Sequence, residues 1–180
     1  MSRYVEHPSK AARWRDGGFE VLPEADAATE RVWIALPPDD DGGRVWEGLL
    51  ALMPAADRAV IAAVPVFAYD LNLGDEVEVV ASAEGPLVAV RPVWDAGRFT
   101  FRVLFPDADD PRDRQWVALQ QELEPYGCWF DVFSPHLVAV SAEPDVAQDV
   151  ADHLAEGQHA GRWQYETGRL ALPEDHPDAL

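Results

Sequence analysis

Val64-Pro65-Val66-Phe67-Ala68-Tyr69-Asp70-Leu71-Asn72-Leu73-Gly74-Asp75-Glu76-Val77-Glu78-Val79 carries the densest structural instruction in the chain. Pro65 stiffens the approach. Asn72 to Asp75 is a turn cluster in which Gly74 can take a positive φ. Beyond it Val77, Val79 and Ala81 alternate with Glu76, Glu78 and Val80, the period of a half-buried strand. An apolar approach, a Gly-Asp turn and an alternating strand are what a small, strongly bent β-barrel needs. The stretch predicts that the N-terminal half is built on one.

The flanking segments agree. Glu30 to Leu36 is β-branched and aromatic and stops at Pro37-Pro38. Arg44 to Met53 reads better as a strand than as a short helix. Ala59 to Val64 is apolar enough for another strand, and Phe19 to Leu22 for a short one. Leu87 to Trp94 follows the Gly85-Pro86 turn, with Pro92 marking an edge or a bulge. Residues 19–96 are therefore predicted to form a small β-barrel or curled sheet. Residues 1–18 show no period and predict a flexible tail. Its first 15 residues are basic, with Arg3, Lys10, Arg13 and Arg15 against Glu6 alone.

The second half has a different rhythm. Phe99, Phe101, Val103 and Phe105 alternate with Arg98, Thr100, Arg102 and Leu104. A turn-rich run from Pro106 to Asp113 follows. Trp116, Leu119, Gln120 and Leu123 then sit at i, i+3, i+4 and i+7, an amphipathic helix closed by Gly127. Cys128 to Phe133 and Leu137 to Ser141 form a hairpin about Ser134-Pro135-His136. Pro144-Asp145 opens a helix with Val146, Val150 and Leu154 on one face, ending by Gly157. Gly161 introduces a last strand, Arg162 to Tyr165. The order β-α-β-β-α-β over residues 97–172 predicts a ferredoxin-like half, before a polar tail at 173–180. The fold class is α+β.

At 180 residues the chain suits one domain or two packed subdomains and needs no metal or disulfide staple. The single Cys128 favours a reducing compartment or a plain core position. With no apolar leader after Met1 and no run of ~20 apolar residues, a cytoplasmic protein is expected. The formal charge of −19 makes nucleic acid a poor partner, and it opposes an RNA-binding reading of Phe99, Phe101, Trp129 and Phe133 beside Arg98 and Arg102.

Nothing forms a catalytic signature. Ser134, His136 and Asp131 are near one another in sequence but lack a nucleophile elbow. His153 and His159 are six apart and cannot ligate from one helix face. Asp39-Asp40-Asp41-Gly42-Gly43 lacks the spacing of a calcium loop. No catalytic residue, metal ligand or cofactor is assigned. The best polar constellation is Tyr69, Asp70, Asn72 and Asp75 at the bent turn, although Asp and Asn also close turns through the backbone; a ligand cleft would be expected near Tyr69, Asp70, Arg98 and Arg102.

Three motifs carry a resemblance: Glu30-Arg31-Val32-Trp33, Val64-Pro65-Val66-Phe67-Ala68-Tyr69 through Leu73-Gly74-Asp75-Glu76-Val77, and Gly97-Arg98-Phe99-Thr100-Phe101-Arg102-Val103. The chain resembles the DUF4265 family, bacterial proteins of unknown function, over residues 30–167. The Pro-aromatic-Ala-aromatic run followed by Gly-Asp-x-Val is the specific part. The family commonly carries a His after the Gly of the third motif, where this chain has Arg98. The resemblance implies no reaction, cofactor or substrate. The sequence leads to a non-enzymatic protein-binding or regulatory role, such as an acidic inhibitor or immunity-type partner of a basic protein. The alternative is a sensor holding a small molecule between the two halves. Oligomeric state is not readable.

Overall fold

The computed structural model describes residues 2–83, 85–106 and 114–169. The elements in chain order are strands β1 (Ser2–Glu6), β2 (Ala12–Arg15) and β3 (Gly18–Val21), helix α1 (Pro23–Ala27), and strands β4 (Glu30–Leu36), β5 (Arg44–Ala55), β6 (Arg58–Ile61), β7 (Glu76–Ala81), β8 (Leu87–Trp94) and β9 (Phe99–Leu104). Then come helix α2 (Gln115–Glu122), strands β10 (Trp129–Ser134) and β11 (Leu137–Ala142), helix α3 (Ala147–His159) and strand β12 (Gln164–Thr167). The protein is α+β.

One sheet runs β1-β5-β4-β8-β7-β6, and β5 also pairs with β6, which closes a five-stranded barrel. β5 makes the closure possible by its length. Its first half, Arg44 to Gly48, pairs in parallel with β1, and its second half meets β6 at Ala51, Leu52 and Ala55. Val32, Leu49, Ala51, Ile61, Val77 and Val79 fill the barrel. These are the inward phases of alternating strands. Pro92 does stand at a register shift of β8 against β7, and β8 pairs with β4 at Leu87 and Val88.

The second sheet runs β12-β9-β11-β10-β2-β3. Helices α2 and α3 cover one face, where Leu119, Leu123, Val150 and Leu154 pack on Phe101, Val103, Phe105 and Phe130. The other face meets the barrel. There Trp129 and Ala139 join Val64, Val66 and Leu73 of the β6–β7 connection, with Ala11, Leu22 and Ala25, in one apolar cluster.

Several expectations need correction. Residues 2–18 of the expected flexible tail are ordered into strands. They form β1, β2 and the first residue of β3, and tie both sheets together. The hairpin β2–β3 turns at Asp16-Gly17, both at positive φ. An Asp-Gly pair is a strong hairpin signal, and it was present in the sequence. Trp14 packs edge-on against Phe19, which stacks on Trp116 of α2. β3 therefore belongs to the second sheet, so a division at residue 96 does not separate the sheets. The strand expected to reach Val64 ends at Ile61; the connection that follows packs Val64, Val66 and Leu73 toward the other sheet while Ala63, Ala68 and Leu71 stay in the barrel core. Helix α3 runs past Gly157 to His159. That glycine makes room for an indole: a Cβ there would come within 2.0 Å of Trp163 Cζ2. Trp163 Nε1 donates to Leu154 O at 2.9 Å. The last strand is displaced two residues, to Gln164–Thr167. The expected polar tail at 173–180 lies outside the described residues, as does most of the Pro106–Asp113 turn.

Candidate functional site

Two constellations sit where the barrel meets the second sheet. The deeper one is built on His7. Its Nε2 donates to Glu47 Oε1 and its Nδ1 to Asp131 Oδ2, both at 2.8 Å. Glu47 comes from β5 and Asp131 from β10, so one imidazole bridges the two sheets. Glu47 and Asp131 are fully buried and the His7 side chain is 6 % exposed. Burial alone would push the His7 pKa down. The hydrogen bonds and charges of Asp131 and Glu47 more than offset that, and raise it to about 9. His7 is thus a cation at neutral pH. Burial also works to raise the Glu47 pKa, but the bonds from His7 and from backbone N–H groups hold it below its ordinary value. Burial pushes the Asp131 carboxyl up.

Glu47 does a second job. Its carboxylate accepts the backbone N–H groups of Val66 (2.7 Å), Phe67 (3.1 Å) and Ala68 (2.7 Å). Three convergent donors pin the β6–β7 connection and aim Phe67 and Tyr69 at the second sheet.

There they line a cleft of about 360 Å³ with Leu104, Leu137 and Tyr165. Its polar rim includes Arg102, Gln164 and Glu166. The guanidinium of Arg102 lies 4.1 Å from the centre of the Tyr69 ring. It donates to Glu166 Oε1 (3.1 Å) and to the carbonyl of Ala68. Tyr69 donates its hydroxyl to the same Glu166 oxygen at 2.7 Å. That bond, with some burial, raises the Tyr69 pKa. The Arg102 side chain is only 5 % exposed, and its Nε has no hydrogen-bond partner among the described residues.

Of the six residues singled out in the sequence, Tyr69 and Arg102 meet at this cleft. Asp70 follows at φ 54°, its N–H donating to Gly168 O at 2.8 Å. Asn72 and Asp75 lie buried beneath. Asp75 accepts from Ala96 N (2.8 Å) and Asn72 N (2.7 Å), and Thr100 donates to Asn72 Oδ1 (3.0 Å). Burial pushes the Asp75 pKa up to about 6, against the pull of those backbone bonds. Arg98 is elsewhere: it donates to Ser141 Oγ at 2.9 Å and pairs with Glu143. His7, Glu47 and Glu166 escaped the sequence reading. A carboxylate at the inward phase of each of two strands, Glu47 and Asp131, was the available signal, because a buried carboxylate pair demands a cation.

Residues 47–165 match the family described as a domain of unknown function, DUF4265. The chain belongs to this family. No curated protein matches it. Among solved structures, it is similar to the crystal structure of a hypothetical protein from Neisseria gonorrhoeae, at 17 % identity and a TM-score of 0.64. The match covers 79 % of this chain and 96 % of that one. At that identity the likeness concerns the fold alone. Among the described residues no helix is long and apolar enough to cross a membrane.

Proposed function

We propose that this DUF4265 protein is a non-enzymatic binding protein that holds a small ligand in the cleft between the barrel connection and the second sheet. The observation that carries the reading is the Arg102 arrangement: a cation almost removed from water, facing an apolar cleft of about 360 Å³. That volume and that ratio of apolar wall to polar handle are those of small-molecule sites. The ligand class is an apolar or aromatic carboxylate. Its body lies against Phe67, Leu104, Leu137 and Tyr165, and its carboxylate takes the place of Glu166 on Arg102 and Tyr69. A ligand-exchangeable internal carboxylate suits a sensor, because Glu166 is half in water and its release is easily accommodated.

Thermal shift with aromatic and aliphatic carboxylates tests this, since a ligand that binds only the folded state raises Tm. Glu166→Gln removes the competing charge and tightens binding severalfold; Arg102→Gln abolishes it. If no carboxylate shifts Tm and Glu166→Gln changes nothing, the reading falls.

A second reading rests on the formal charge of −19. It is the inhibitor or immunity-type role, in which the acidic surface steers the protein onto a basic partner. Capture of such a partner that is insensitive to salt would count against it. The finer fold reading also belongs with these proposals. The chain order β9-α2-β10-β11-α3-β12 with strand order β12-β9-β11-β10 supports a ferredoxin-like unit to which β2 and β3 are added at one edge.

A further inference from the structure

The outer wall of the barrel carries an aromatic groove on the far side of β5 from Glu47. In β5 the inward phase is Glu47, Leu49 and Ala51, so Trp46 and Gly48 point outward. β1 sets Tyr4 opposite Trp46, and β4 sets Trp33 opposite Gly48. Gly48 is needed there, since a Cβ would come within 2.9 Å of the Trp33 ring. Tyr4 meets Trp33 edge to face, with ring centres 5.0 Å apart. Trp46, Pro86 and Val88 complete a groove of about 280 Å³. Tyr4 is 55 % exposed. The apolar surface continues across β8 and β7, where Val88 stands opposite Val80 and both Val80 and Val90 are exposed.

The polar equipment of this groove is one-sided. The indole N–H groups of Trp33 and Trp46 and the hydroxyl of Tyr4 can donate at its wall. Flat rings with such donors suit a polyproline II segment. Its prolines present flat apolar faces, and its carbonyls have no internal partner. Charge selects the partner further. The β4–β5 hairpin that carries both tryptophans ends in Asp39, Asp40 and Asp41, all exposed, on a chain of net charge −19.

We infer that the Tyr4–Trp33–Trp46 groove docks a proline-rich segment of a basic partner protein, with its prolines between the rings and its cationic flank toward Asp39–Asp41. The cleft beside Arg102 plays no part in it. The inference gives the partner-binding reading a place on the surface, and the two fail separately.

The test is titration of the full chain with a short proline-rich peptide flanked by arginines, read by tryptophan fluorescence and calorimetry. The control peptide has glycine and serine in place of proline. The expected result is saturable binding, at least tenfold weaker for the control and for Tyr4→Ala, and severalfold weaker for Asp40→Asn with Asp41→Asn. Tyr4 is exposed on an edge strand, so its removal leaves the fold intact, which circular dichroism checks. Equal binding of the two peptides would mean charge alone and overturn the groove. So would binding indifferent to Tyr4→Ala, no binding, or a concentration-dependent dimer seated on the same rings. A basic protein captured in a salt-sensitive way by both wild type and Tyr4→Ala would leave the acidic-surface reading standing and sink the groove.

Discussion

His7 holds two buried carboxylates at once. Its two carboxylate partners lie in different sheets and out of water, so losing the imidazole strands two buried charges. His7→Ala should cost about 3 kcal/mol or more, measured by urea denaturation at neutral pH. The sign of the pH dependence follows from the direction of the shift. The folded protein holds the His7 proton up to about pH 9, and the unfolded chain loses it near 6.5. The stabilisation is therefore complete below about 6.5 and fades as pH rises through 9. Denaturation midpoints should fall over that window, and His7→Asn should flatten the fall. Cys128 is buried and its thiol is pushed up to about 12 by burial. A thiol reagent at pH 7.5 should leave the native protein unlabelled and react fully in denaturant; rapid native labelling would contradict the burial. Gly157→Ala should cost about 2 kcal/mol or more by forcing a methyl into the Trp163 ring, and equal stability in urea would show that the ring can shift.

At the scale of elements, β1 and the β2–β3 hairpin are the ones most easily misjudged. β1 covers the half of β5 that β6 leaves free, and β2 covers the edge of β10. Deleting residues 2–21 would bare both edges and remove His7. The truncated chain should lose several kcal/mol, a fall in Tm of roughly 10 °C or more, and should aggregate through its exposed strands. A truncated chain that stays monomeric with the parent Tm would return these residues to the status of a tail. The sequence made them hard to see because β1 is an exposed edge strand paired only on one side. Its residues carry no alternation, and its partner lies about 40 positions away. The strands of the barrel and the helix face of α3 were legible because each buries one side and so repeats its apolar residues with a period of its own.

The whole molecule should unfold as one unit. The cluster around Val64, Val66, Trp129 and Ala139 draws on both sheets and on the N-terminal segment, and the His7 bridge crosses the same boundary. Calorimetry should give a single transition whose calorimetric and van't Hoff enthalpies agree; two separated transitions would mean that the sheets fold independently.

The sequence by itself determined the α+β class, the barrel strands, the order of strands and helices in the second half, and the family. These depend on local periodicity, on turn chemistry around Gly74 and Gly127, and on short motifs, all of which are written in consecutive residues. It also singled out both Tyr69 and Arg102. Only the tertiary structure decided that they meet while Arg98 turns away to Ser141 and Glu143. Only the tertiary structure placed His7 between Glu47 and Asp131, and Glu166 on Arg102. The physical reason is the same in each case. A buried charge needs a partner close in space, that partner can come from any part of the chain, and no periodicity records a pairing across 124 residues.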